Sequence, residues 1–151
     1  MSESVGLVVH RRRGDEVEVL IGHMGGPYFA SKEEGGWTFP KGLVESAEEP
    51  LVTAEREFAE ELGAPAPSGD TLDLGTIKTS GKAIRLFARE GDFDAESIES
   101  NPFELEWPPR SGRIQLFPEL DRAAWVPLAE AERLLAKNQR GFIDRLRSAL
   151  S

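Results

Sequence analysis

The segment from Pro50 to Leu62 constrains this chain more than any other. Proline fits the first turn of a helix, Glu48 and Glu49 favour its positive end, and Gly63 followed by Pro65 stops it. Leu51, Ala54, Phe58 and Leu62 recur at helical spacing and form a core-facing stripe. Glu57, Glu60 and Glu61, at i, i+3 and i+4, share the adjoining arc of roughly 100°, with Arg56 at its border. The spacing predicts a helix carrying three carboxylates beside its buried face. The residues alone leave two readings open. One is a solvated acidic face, where like-charge pairs cost only about 0.2–0.5 kcal/mol each. The other is an oxygen-ligand site for a hard cation such as Mg²⁺ or Mn²⁺.

Around this helix the chain reads as a mixture of strands and few helices. Val5–Val9 and Val17–Ile21 flank a polar tip and predict a β-hairpin, whereas Gly22 to Gly36, with five glycines and Pro27, predicts a long loop. Trp37-Thr38-Phe39 predicts a short strand ended by Pro40. Asp73–Lys78 and Ala83–Arg89 predict two strands, and Asp92 to Gly112, with Pro102, Pro108 and Pro109, a long excursion. Ile114–Phe117 and Ala123–Val126 are further strand candidates, and Leu128–Lys137 and Gly141–Leu150 carry helical patterns. A length of 151 residues suits one domain, and the element mixture suggests an α+β or mixed-sheet sandwich.

Charge and cysteine usage narrow the function classes. With 18 basic and 27 acidic residues the net charge is −9, which argues against nucleic-acid polymers and anionic membranes as partners. The excess is local. Residues 42–64 hold seven of the acids and one of the bases, so this segment alone carries −6 of the −9. Zero cysteines exclude disulfide frameworks, thiolate nucleophiles and Cys-type metal sites. The apolar run Val5–Val9 precedes its basic cluster, the reverse of a signal peptide, and the expected location is the cytoplasm. His10 and His23 have no carboxylate or Cys pattern near them in sequence and are assigned to no chemistry.

From Gly42 the chain runs Gly42-Leu43-Val44-Glu45-Ser46-Ala47-Glu48, then seven residues, then Arg56-Glu57-Phe58-Ala59-Glu60-Glu61-Leu62-Gly63-Ala64. This resembles the Nudix box, the 23-residue pattern G-x5-E-x7-R-E-U-x-E-E-x-G-U, in which U is a bulky aliphatic residue. All seven fixed positions match, an accident on the order of 10⁻⁸ per window at ordinary residue usage. Phe58 is aromatic and Ala64 small at the U positions. The lead-in Trp37-Thr38-Phe39-Pro40-Lys41-Gly42 resembles the strand that feeds the box, and Asn101 to Trp125 is similar to a bacterial group of small predicted nucleoside-triphosphate pyrophosphohydrolases.

The resemblance implies one Nudix domain over residues 1–151, an α/β/α sandwich on a mixed, curved sheet with the box as loop–helix–loop. It implies hydrolysis of a phosphoanhydride in a nucleoside diphosphate linked to a further group, with Mg²⁺ or Mn²⁺ as cofactor and a nucleotide as partner. Glu57, Glu60 and Glu61 would be metal ligands, the carbonyl near Lys41 or Gly42 would join them, and Glu57 or a neighbouring carboxylate would orient or deprotonate the attacking water. Arg56 would position the carboxylate beside it, and Glu48 would tie the loop to the helix. Glu119 is the candidate for a carboxylate from a distant loop, with Glu104 and Glu106 behind it. Lys41 is a candidate phosphate contact or an exposed strand-end lysine, and Tyr28, Phe29, Trp37 and Trp107 either stack on a base or pack. Some 15 to 18 residues after the box, Thr79-Ser80-Gly81-Lys82 contains neither the Pro marker of ADP-ribose hydrolases nor the Tyr of some diadenosine-polyphosphate hydrolases. Nucleoside triphosphates are therefore the first expectation and dinucleoside polyphosphates the second, with a non-catalytic nucleotide-sensing module as the rival from another class.

Overall fold

The structure, a computed structural model, describes residues 2–45 and 47–151, so that Met1 and Ser46 of the box lie outside the description. Among the described residues, nine strands and three α-helices follow in the order β1 (Ser2–Arg13), β2 (Glu16–Met24), β3 (Trp37–Thr38), β4 (Lys41–Leu43), α1 (Pro50–Leu62), β5 (Thr71–Thr79), β6 (Lys82–Glu90), β7 (Pro102–Glu106), β8 (Ile114–Pro118), β9 (Leu120–Pro127), α2 (Leu128–Leu134) and α3 (Gly141–Leu150). Seven strands form a mixed sheet in the order β3-β2-β1-β6-β5, with β4 paired to β1 and β9 to β2. The central pair β1 and β6 is parallel, from Ser2 opposite Lys82 to His10 opposite Glu90. On its other edge β1 pairs antiparallel with β4 near its start and with β2 near its end.

Alternation along β1 assigns its residues to two cores. Val8 joins Ile21, Ile84, Leu86, Phe142, Ile143 and Leu146 under α2 and α3. Leu7 and Val9 join Leu20, Phe58, Leu62 and Phe87 under α1. Helices thus cover both faces of the sheet, the α/β/α arrangement the box resemblance implied.

Two local expectations change. The stretch from Asp92 to Gly112 is not a structureless excursion: Ala95–Ser97 forms a 3₁₀ turn, and Pro102–Glu106 pairs with Ile114–Pro118 as a separate two-stranded sheet. Pro102 is tolerated because it opens its strand. The helical pattern starting at Leu128 stops at Leu134, because Leu135 turns extended and bridges Trp37.

Candidate active site

The box helix is set in place by both ends. Pro50 occupies its first turn, and Gly63 adopts a left-handed φ of 82° while its N–H donates to the Ala59 carbonyl. Buried Ala54, Phe58 and Leu62 anchor one face to the sheet. The three box carboxylates are therefore carried on the C-terminal half of the helix, where the helix dipole disfavours negative charge and the last turn holds no basic residue.

Glu57 is fixed from two directions. Arg56 grips both oxygens of Glu48, at 2.9 and 3.0 Å, and reaches Glu57 Oε2 at 3.1 Å and Glu60 at 3.2 Å. Glu48 also accepts from the Thr53 hydroxyl at 2.6 Å, and these partners hold its carboxyl down to about 2. On the other side the Glu57 carboxylate lies against Gly42. A Cβ there would stand 2.0 Å from Glu57 Cδ, so only glycine lets the carboxylate approach β4 this closely.

Glu57, Glu61 and Glu119 face one cleft of about 510 Å³ together with Lys41, Gly42 and Asn101. Burial pushes Glu61 up to about 8, with the charges of Glu57 and Glu119 adding to the rise and Lys41 opposing it. Burial and the neighbouring Glu60 raise Glu57 against the pull of Arg56, and burial raises Glu119. Lys41 is lowered by burial and by the nearby Lys82 charge, against Glu61 and Glu57. Among the described residues, no three acidic or histidine side chains close into a ligand cage. The carboxylates converge on the cleft without forming a closed cluster.

Glu60 does not line the cleft. Its side chain is 42% exposed and pairs with Arg56, one helical step away from Glu57 and Glu61. Glu104 and Glu106 stand on the β7–β8 hairpin away from the cleft, and Glu106 accepts from the Gly112 N–H at 2.9 Å. The sequence reading missed Asn101, whose backbone joins the two halves of the site. Its N–H donates to the Glu60 carbonyl and its own carbonyl accepts from the Glu119 N–H, both at 2.9 Å, which seats Glu119 beside the end of α1. No sequence signal marks such a backbone link between residues 41 and 18 positions apart.

The aromatic candidates divide. Trp37 is buried in the core, and Tyr28, 63% exposed, meets Trp107 edge-on at 5.2 Å. His23, with no carboxylate near it in sequence, meets one across the fold: its Nδ1 lies 2.9 Å from Asp121 Oδ1 while Nε2 donates to the Lys32 carbonyl at 2.7 Å. This buried ring ties the 25–36 loop to β9, and its partner lies 98 positions downstream. A larger hollow of about 620 Å³ lies between Arg11, Asp92 and Trp125, but Arg11 is already committed to Glu18, Asp92 and the Trp125 ring.

A sandwich of this topology bearing a loop–helix–loop of carboxylates is a Nudix-type fold. A family model described as the NUDIX domain matches residues 2–146, and the chain belongs to that family. Among its relatives, an octanoyltransferase of Myxococcus xanthus is 30% identical over 144 residues, covering 94% of this chain and 36% of the relative. The chain thus spans about a third of that protein's length. An RNA pyrophosphohydrolase of Mesorhizobium japonicum is 28% identical over 130 residues, covering 76% of this chain and 70% of the relative. Two solved structures share the fold. The NUDIX domain of Shewanella oneidensis NrtR complexed with ADP ribose aligns at a TM-score of 0.67 and 16% identity, over 99% of this chain and 88% of that one. A binary complex of the Ap4A hydrolase of C. elegans aligns at 0.62 and 20% identity, over 99% and 98%.

Proposed function

We propose that the protein is a Mg²⁺- or Mn²⁺-dependent nucleoside-triphosphate pyrophosphohydrolase, working in the cytoplasm, where a chain without cysteine has no disulfide to lose. The observation that carries this reading is the convergence of Glu57, Glu61 and Glu119 on one cleft beside Lys41 and Gly42. An all-oxygen donor set of carboxylates suits a hard dication. Burial raises the affinity of Glu57, Glu61 and Glu119 for protons, and neighbouring carboxylates raise it further at Glu57 and Glu61, which supports the same fit because a dication would favour the charged forms. Glu57, Glu61, Glu119 and the Gly42 carbonyl would hold the ion, with Glu60 bound to Arg56 beside them. When bound, the ion neutralises the polyphosphate and lowers the pKa of an attacking water.

The chain's own groups do the rest. Glu57, fixed by Arg56 and the bare backbone of Gly42, orients the water and accepts its proton. Glu60 shares Arg56 with Glu57 and is the second candidate for that role. Arg56 acts through these carboxylates rather than on substrate, since all its hydrogen bonds among the described residues go to acids. Lys41 meets a phosphate oxygen at the edge of the cleft. The 5′-triphosphate of an RNA contains the same bond, and the 28% identity to an RNA pyrophosphohydrolase brings that substrate into the test.

The purified protein, incubated with Mg²⁺ and a panel of nucleoside triphosphates, Ap4A, ADP-ribose and 5′-triphosphorylated RNA, is expected to release a nucleoside monophosphate and pyrophosphate from triphosphates. Turnover stops with EDTA and falls at least about 100-fold in Glu61→Gln. No turnover above that variant on any compound removes the reading, and binding without turnover favours the nucleotide-sensing module.

A further inference from the structure

A second cleft of about 290 Å³ lies against the first, and Lys41 and Leu43 line both. Its floor follows from strand alternation across β4, β1 and β6. Residues two apart share a face of the sheet, so Lys41 and Leu43, Ser2 and Ser4, and Lys82 and Ile84 lie on one side. The register brings them together, with Ser2 opposite Lys82 and Ser4 between Leu43 and Ile84. Asn138, in the 3₁₀ turn Lys137–Gln139, also lines it. Gly42 faces the opposite way, toward Glu57, so the two clefts open on the two sides of β4 and meet at Lys41.

The chemistry of the second cleft is the reverse of the first. It offers two ammonium groups, two hydroxyls and a carboxamide, with no carboxylate in its lining. Among the described residues, neither Lys41 nor Lys82 takes part in an ion pair, whereas Arg56, Arg85 and Arg89 are each bound to an acid. A dication on three carboxylates leaves the first cleft with a net negative charge, so the metal alone does not balance a polyphosphate chain. The unpaired ammonium groups across β4 supply what is missing.

We propose that this second cleft is a phosphate subsite, holding phosphate of the substrate beyond the bond that is cleaved. It rests on the hydrolase reading above and sharpens the substrate class. Chains of three or more phosphates are selected over diphosphate-bridged compounds such as ADP-ribose, whose shorter chain does not occupy both clefts. Lys82, outside the box, is the residue that makes the distinction.

The test compares wild type, Lys82→Gln and Lys82→Arg by calorimetric titration with inorganic tripolyphosphate and with pyrophosphate in Mg²⁺, alongside the KM for ATP and ADP-ribose. Lys82→Gln is expected to weaken tripolyphosphate binding and raise the KM for ATP about tenfold, as loss of a charge-assisted contact does. Pyrophosphate, ADP-ribose and kcat are expected to stay as in wild type, and Lys82→Arg to recover most of the loss. Equal tripolyphosphate affinity in wild type and Lys82→Gln, equal weakening of both phosphates, or no tripolyphosphate binding by wild type would overturn the proposal. Failure of the hydrolase reading shows separately, as absent turnover of every nucleotide while the titrations still report on Lys82.

Discussion

Glu61 shows how one side chain couples the site to stability. Its carboxyl is raised to about 8 in the folded protein from an ordinary value of 4.5, so between these values the folded state keeps a proton that the unfolded chain has lost. Stability of the metal-free protein therefore falls as pH rises through that window, by a few kcal/mol at most. Glu48 has the opposite sign. Its carboxyl is held at about 2, so its contribution is lost only as pH falls toward that value and does not enter this window. In EDTA at about pH 8, thermal melting is expected to find Glu61→Gln more stable than wild type, with the gap closing near pH 5. A variant that melts lower than wild type at pH 8 contradicts the burial of an unbalanced charge. That Glu57 and Glu61 share a face was legible from their spacing of four, which turns only about 40°. Glu60, about 60° to the other side of Glu57, stands nearer Arg56; the sequence reading placed it on the same arc by its spacing and among the metal ligands by the box resemblance. Asn101 and the Asp121 partner of His23 were not legible, because each acts across the fold with no local pattern to announce it.

At the scale of elements, α1 was the clearest feature of the sequence because its stop signal is a backbone requirement. Gly63 sits at φ 82°, and a Cβ there would come within 2.6 Å of the Glu99 carbonyl oxygen, which belongs to the segment leading to Asn101 and Glu119. Gly63→Ala combines left-handed strain with this clash and is expected to cost roughly 1–3 kcal/mol of stability in urea unfolding. It is also expected to weaken activity, since the Glu99 N–H donates to Leu62 beside the Asn101 link. A variant with an unchanged urea midpoint rejects the view that this turn locks the helix to the hairpin root. Of the β7–β8 hairpin the sequence reading found β8, as the strand candidate Ile114–Phe117, and missed β7 and the pairing. Its strands are five residues each and bracketed by Pro102, Pro108, Pro109 and Pro118, which read as loop punctuation, and its pairing is with itself rather than with the main sheet.

For the whole molecule, the net charge of −9 resolves into a spatial arrangement. Most of the excess sits in the box, whose carboxylates line one side of β4, while Lys41 and Lys82, in no ion pair among the described residues, stand at and beyond that strand. On the proposed reading, a dication in the acidic cleft would convert it from repelling polyphosphate to binding it. The alternation of two-residue strand spacing made the two faces of β4 readable once its pairing with β1 was known, but no local signal in Lys41-Gly42-Leu43 announces that pairing. The most direct measurement is a Mn²⁺ titration followed by electron paramagnetic resonance, with and without a non-hydrolysable triphosphate, on wild type and the Glu57→Gln, Glu61→Gln double variant. Wild type is expected to take up Mn²⁺, more tightly with the triphosphate present, and the double variant to lose at least about 100-fold in affinity. Equal Mn²⁺ uptake by both proteins, or triphosphate binding by wild type that is indifferent to metal, would contradict the assignment of the acidic cleft as the metal site.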